Sequence, residues 1–172
     1  MNVVQVKVNG MAFDNQTKQN IVILRELEGE RILPIWIGQN EAHAIARVLA
    51  NDKFPRPLTH DLLHLVIEGL KAKLTKVLIV DLRENTFYAS VFLEREGNVL
   101  SIDARPSDSI AMALRAACPI FVNEALLQEP PSETSESGDA PPERELTDEE
   151  RAEQLRRYLE NLNPEDFGKF QL

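Results

Sequence analysis

Hydrophobic positions recur along this chain with two different periods, and the switches between them predict its elements. Val4, Val6 and Val8 alternate with polar neighbours as one strand, Ile21 to Leu27 reads as a second, and Glu28-Gly29-Glu30 turns it into a third from Ile32 to Ile37. These three read as antiparallel neighbours. Gly38-Gln39-Asn40 leads into a helix through Ala50, with Ala42, Ile45, Ala46 and Leu49 on its inward side. Pro55-Arg56-Pro57 interrupts the chain, and Thr59 is placed to cap a second helix from His60 to about Leu70, with Leu62, Leu63, Val66, Ile67 and Leu70 as its core face. Strands from Lys76 to Leu82, Phe87 to Leu93 and Val99 to Asp103 follow, and the run Val77-Leu78-Ile79-Val80 is apolar enough for the middle of a sheet. Pro106 occupies the first position of a third helix carrying Ile110, Ala111, Leu114 and Ala117, and Ile120 to Val122 makes a last short strand. Helices and hairpins alternate without a regular βαβ repeat, so the expected fold class is α+β, with a mixed, mainly antiparallel sheet and three packed helices.

Beyond residue 127 the pattern changes. Residues 128–146 include Glu129-Pro130-Pro131-Ser132-Glu133-Thr134-Ser135-Glu136-Ser137-Gly138-Asp139-Ala140-Pro141-Pro142-Glu143, a composition that cannot bury enough apolar surface to offset ordering entropy, and it predicts a disordered acidic linker. In residues 147–172, Thr147-Asp148-Glu149-Glu150 has the form of a capping box, and Ala152, Leu155, Leu159 and Leu162 lay a thin apolar stripe on a helix ending before Asn163-Pro164. Such a helix is marginal alone, so it is expected either to dock on the body or a second copy, with Phe167 and Phe170 as anchors, or to stay free.

Charge divides the same way. Residues 1–128 hold 14 basic and 15 acidic side chains, net −1, whereas residues 129–172 hold 5 and 13, net −8. No apolar run approaches the roughly 20 residues of a membrane span, and the opening residues lack the blocks of a signal peptide, which gives a cytoplasmic expectation without membrane partners. The single cysteine, Cys118, sits among Ala116, Ala117 and Ile120 and reads as a packed small residue.

Chemistry concentrates where the last long strand meets the third helix. Asp103, Arg105, Ser107, Asp108 and Ser109 fall within seven residues, with Asp108 in a first turn that favours a carboxylate. One account is local: Arg105 pairs with Asp103 or Asp108, Glu41 complements a helix start, His60 reinforces the Thr59 cap, and Trp36 is a core or interface aromatic rather than a stacking platform. The other account makes these groups a ligand site. His60-Asp61-Leu62-Leu63-His64 imitates the helical spacing of zinc hydrolases, but Asp is a shorter arm than the Glu that mechanism uses, and His43 is the only further histidine.

Three separated blocks, Leu33-Pro34-Ile35-Trp36-Ile37-Gly38 with Glu41-Ala42, Arg56-Pro57-Leu58-Thr59-His60-Asp61-Leu62, and Asp103-Ala104-Arg105-Pro106-Ser107-Asp108, resemble the bifunctional nuclease domain family in their order. The resemblance covers roughly Val4 to Leu127 and implies a compact α+β fold and, from plant members, DNase and RNase activity. Those plant relatives join the domain to a UVR motif, which the present tail does not match. Phosphodiester hydrolysis needs a nucleophilic water and charge stabilisation, commonly with a divalent ion. The expected catalytic set is Asp103, Arg105, Asp108, His60 and Glu41. Asp103, Asp108 and Glu41 suit Mg²⁺ or Mn²⁺, Arg105 suits a phosphate, and His60 suits proton transfer. Arg56, Lys71 and Lys73 are the expected substrate-binding cations, from small basic clusters that also include Arg47, Lys53 and Lys76. A near-neutral body is unusual for gripping nucleic acid, and the acidic tail could compete for these patches. The alternative is a non-catalytic oligomeric module, a homodimer by default, in which the same polar cluster builds an interface or holds a small anion.

Overall fold

The computed structural model describes residues 2–15 and 17–130; the expected linker and tail helix lie outside the described residues, apart from the first residues of the linker. Seven strands form one sheet in the order β3-β2-β1-β7-β4-β5-β6, made of β1 (Val3–Asp14), β2 (Gln19–Glu26), β3 (Ile32–Ile37), β4 (Lys73–Arg83), β5 (Thr86–Arg95), β6 (Asn98–Ala104) and β7 (Ile120–Asn123). The sheet is two three-stranded meanders stitched together by β7. That short strand runs antiparallel to β1 and parallel to β4, and every other pairing is antiparallel. The α+β expectation holds, and β4, flanked by β7 and β5, is central as its apolar run requires.

Three helices, α1 (Gln39–Leu49), α2 (Thr59–Gly69) and α3 (Pro106–Ala116), complete the described elements together with a short 3₁₀ turn at Glu124–Leu126. The principal core joins Ala42 and Ile45 of α1 and Ile110 to Ala113 of α3 to Val22, Leu24, Leu33, Ile35 and Ile37 of the first meander and Val77, Ile79, Val91 and Leu93 of the second. Helix α3 is the hub: seven of its residues, among them Ser107 and Ser109, are buried.

Several boundaries and faces differ from expectation. Strand β1 runs on to Asp14 because a bulge between Val8 and Gly10 resets its register and lets Met11 to Phe13 continue pairing with β2. Thr59 is the first residue of α2 rather than its cap; the carboxylate of Asp61 instead accepts the Leu58 N–H at 2.9 Å. Ala46 and Leu49 of α1 are exposed. The largest departure is α2 itself, none of whose residues is buried: Leu62, Leu63, Leu65, Val66 and Leu70 are all exposed, and Ile67 is only partly covered. Its leucines surround much of the helix, so the spacing alone could not say which stripe meets the body. Strand β6, at one edge of the sheet, is likewise exposed at Val99, Leu100 and Ile102. No described helix is long and apolar enough to cross a membrane.

Candidate functional site

The chain crosses from β6 into α3 at Arg105, whose extended backbone caps the helix while Pro106 supplies the first helical position. This places Asp108 in the first turn of α3, where the aligned peptide dipoles favour a carboxylate. Arg105 Nε donates to Asp108 Oδ2 at 2.7 Å, and its Nη2 reaches Glu41 Oε1, in the first turn of α1, at 2.8 Å. His60, in the first turn of α2, places Nε2 2.9 Å from Asp108 Oδ1. Side chains from the starts of all three helices therefore meet in a chain running Glu41, Arg105, Asp108, His60.

Its electrostatics are consistent. The hydrogen bond from His60, followed by that from Arg105, holds the Asp108 carboxyl below the usual aspartate range, and Asp108 and Glu41 raise the Arg105 guanidinium further above its already high value. An ionised Asp108 can only accept, so His60 Nε2 is the donor, and in the neutral ring Nδ1 is the acceptor. Gly38 caps α1 without a side chain, and a Cβ there would occupy the space taken by Glu41 Oε2.

These groups sit on the wall of a cleft of about 1040 Å³ between the three helices and the β5–β6 end of the sheet. Asp103 is exposed on the same cleft, whose lining also includes the apolar Leu63, Ile67, Val91, Leu93, Ile102 and Met112. The structure thus gathers all five expected catalytic residues at one open hollow. Arg56, Lys71 and Lys73 do not line it: Arg56 is exposed before α2, Lys71 follows α2, and Lys73 opens β4. Of the local alternatives, the pairing of Arg105 with Asp108 is present and extends to Glu41, and His60 pairs with Asp108 rather than serving the α2 cap.

The zinc-like spacing resolves into two separate pairs, His60 with Asp108 and His64 with Glu68 at 3.6 Å along the same helix. Among the described residues no group of three or more His, Cys, Asp or Glu is arranged to hold a metal ion. Glu41 and Asp108 offer the oxygen donors a hard cation wants, but the Arg105 guanidinium lies between them, so as arranged they do not form a ready-made metal centre.

Three further residues line the cleft: Arg47, which the sequence placed only in a basic cluster, His43, which it noted only as a further histidine, and Arg115, which it did not single out. The Arg115 side chain is 7% exposed, donates from Nε to Asp61 Oδ1 at 2.6 Å and from Nη1 to the carbonyls of Ala44 and Ala111, and so ties α3 to both other helices. The Leu58 N–H and then Arg115 hold Asp61 below its ordinary value. A signal was present: Arg115 follows Asp108 by two helical turns and must share its face.

Compared with known proteins, the bifunctional nuclease domain model matches residues 22–135. The chain belongs to the bifunctional nuclease domain family. An uncharacterized protein of Mycobacterium tuberculosis is 41% identical over 167 residues, covering 95% of this chain and 97% of that one. Bifunctional nuclease 1 of Oryza sativa subsp. indica is 27% identical over 73% of this chain, which spans 41% of the rice protein, and Bifunctional nuclease 1 of Arabidopsis thaliana is 26% identical over 68% and 37%. The family match contains the whole cluster from Glu41 to Asp108, so the bifunctional nuclease domain carries the candidate site within itself.

Proposed function

We propose that this bifunctional nuclease domain hydrolyses phosphodiester bonds of DNA or RNA in the cleft that Arg105 overlooks. The observation carrying the reading is the meeting of Glu41, His60, Arg105 and Asp108 from three helix starts at one open hollow. Helix starts favour anions, and a guanidinium braced by two carboxylates is oriented before a phosphate arrives. Asp108 fixes the His60 ring so that Nδ1 takes a proton from an attacking water, the role a positioned imidazole fills near neutral pH. Asp103, Asp108 and Glu41 are the oxygen donors that would hold Mg²⁺ or Mn²⁺, and at the latter two the metal must displace Arg105.

The test is cleavage of single-stranded and duplex DNA and RNA by purified protein, with and without Mg²⁺. An Arg105→Ala, Asp108→Ala double variant is expected to lose about 100-fold or more of the rate, the scale of one positioned acid–base group. Equal trace activity in wild type and variant would mean contamination and sink the reading.

The second reading, a homo-oligomeric binding module, is favoured by the exposed apolar residues of α2 and of the edge strand β6. Cleft and oligomer are compatible. The readings separate if a Leu62→Asp, Val66→Asp variant abolishes self-association and leaves cleavage intact, or if no cleavage exists to be left.

A further inference from the structure

A second, smaller apolar cluster lies on the opposite face of the sheet from the helices. Ile21 and Ile23 of β2 stand beside Trp36 and Pro34 of β3 in the strand register, with Ile32 completing the group. Trp36 is 2% exposed and Ile21 fully buried. Strands β2 and β3 are therefore buried on both faces, the pattern of a sheet covered on both sides. One cover is known: α1 and α3 pack on Val22, Leu24, Leu33, Ile35 and Ile37. On the other side, the only apolar residue packed against the cluster among the described residues is Ala12 of β1, with the Asp14 carboxylate 3.4 Å from the Trp36 indole nitrogen. Five large side chains cannot be buried by an alanine and a carboxylate.

An apolar face of this size needs a cover that the described residues do not supply. Apart from Met1 and Gln16, the remaining residues are 131–172. Described chain also ends in the right place: Gln128 pairs with Ile32 through both backbone bonds, at 2.8 and 2.9 Å, so the polypeptide leaves the body along β3 itself. The linker through Leu146 spans up to roughly 50 Å when extended, ample to fold back over an adjacent strand. Beyond it stand Ala152, Leu155, Leu159 and Leu162 at helical spacing, a stripe that needs an apolar partner and is too short to be stable without one.

We infer that the C-terminal segment seats its Leu155–Leu159 stripe on the outer face of β2 and β3, over Trp36, as a permanent second layer of the domain. This is the docked alternative of the sequence analysis, now given a location. That face lies across the sheet from the cleft, so the acidic segment acts as a structural cover and leaves the cleft open.

Trp36 is the only tryptophan, which makes its fluorescence a direct reporter. In the full-length protein, a Leu155→Asp, Leu159→Asp variant is expected to move Trp36 emission to longer wavelength and to raise its quenching by acrylamide severalfold. Leu155→Met, Leu159→Met keeps the apolar stripe and Arg157→Gln alters the opposite side of the predicted helix, so both are expected to match wild type. Far-UV circular dichroism confirms that the body of each variant is folded. Unchanged emission and quenching in the folded aspartate variant overturn the inference. So does shielding that disappears on dilution, since a second copy would then be the cover.

Discussion

Arg105 is held by two carboxylates that come from different helices, so small changes beside either one are transmitted to the guanidinium. Gly38 offers the most specific probe. Its backbone is in an ordinary extended conformation, and alanine is tolerated there, but the new Cβ takes the position of Glu41 Oε2 and forces that carboxylate away from Arg105. Gly38→Ala is expected to fold normally by circular dichroism and to cost about 10- to 100-fold in phosphodiester cleavage, the penalty of misplacing a positioning group. Asp108 gives a pH signature. Its folded pKa lies below its ordinary value of about 3.9, so its contribution to stability is complete above that pH and is lost as pH falls through the lower folded value. Thermal melts between pH 7 and pH 2 should therefore show Asp108→Asn with a flatter acid limb than wild type. Cys118, by contrast, is chemically quiet: burial pushes its thiol up to about 11, which agrees with a packing role.

At the scale of elements, α3 carries both the core and the site, and α2 is joined to it through few contacts. The Arg115–Asp61 pair, at 2.6 Å, is one of these and the His60–Asp108 pair is another. Removing one partner of a buried pair costs 3–5 kcal/mol in general, but the Asp61 side chain is 36% exposed, so Arg115→Ala is expected to cost about 2 kcal/mol, read from urea melts. Hydrogen exchange should locate the loosening in α2, leaving β4 and β5 protected. The difference between these helices also explains what was legible beforehand. The start of α3 was readable because Pro106, Asp108 and the apolar spacing are local signals that agree. Exposure of α2 was not, because an apolar residue reads as inward whether or not another surface reaches it. The link between Glu41 and Arg105 joins positions 64 residues apart and leaves no local trace, whereas the place of Arg115 could have been read from its register with Asp108. Trp36 as a core aromatic agrees with its burial, although the side of the sheet it covers was beyond reach.

The whole molecule presents a near-neutral body whose cleft balances Arg47, Arg105 and Arg115 against Glu41, Asp103 and Asp108. A protein that tracks many phosphates shows steep salt dependence, because each neutralised phosphate of a single strand contributes a slope of about −0.7 in log affinity against log salt. This cleft has room for the reacting phosphate and its immediate neighbours, and two of its arginines are already committed, Arg105 to carboxylates and Arg115 to Asp61. Binding of single-stranded DNA to a His60→Ala variant, slowed in cleavage but keeping Arg105, is therefore expected to follow salt with a slope no steeper than about −2, equivalent to three phosphates at most. The exposed Arg56, Lys71 and Lys73 lie outside the cleft and provide the contrast. If they form a path for the strand, the slope exceeds that bound and falls when Lys71 and Lys73 are both changed to Glu; if the cleft alone grips the substrate, the same double change leaves the slope where it was. Fluorescence anisotropy across a salt series decides between a site that recognises one phosphate group and a surface that follows a polymer.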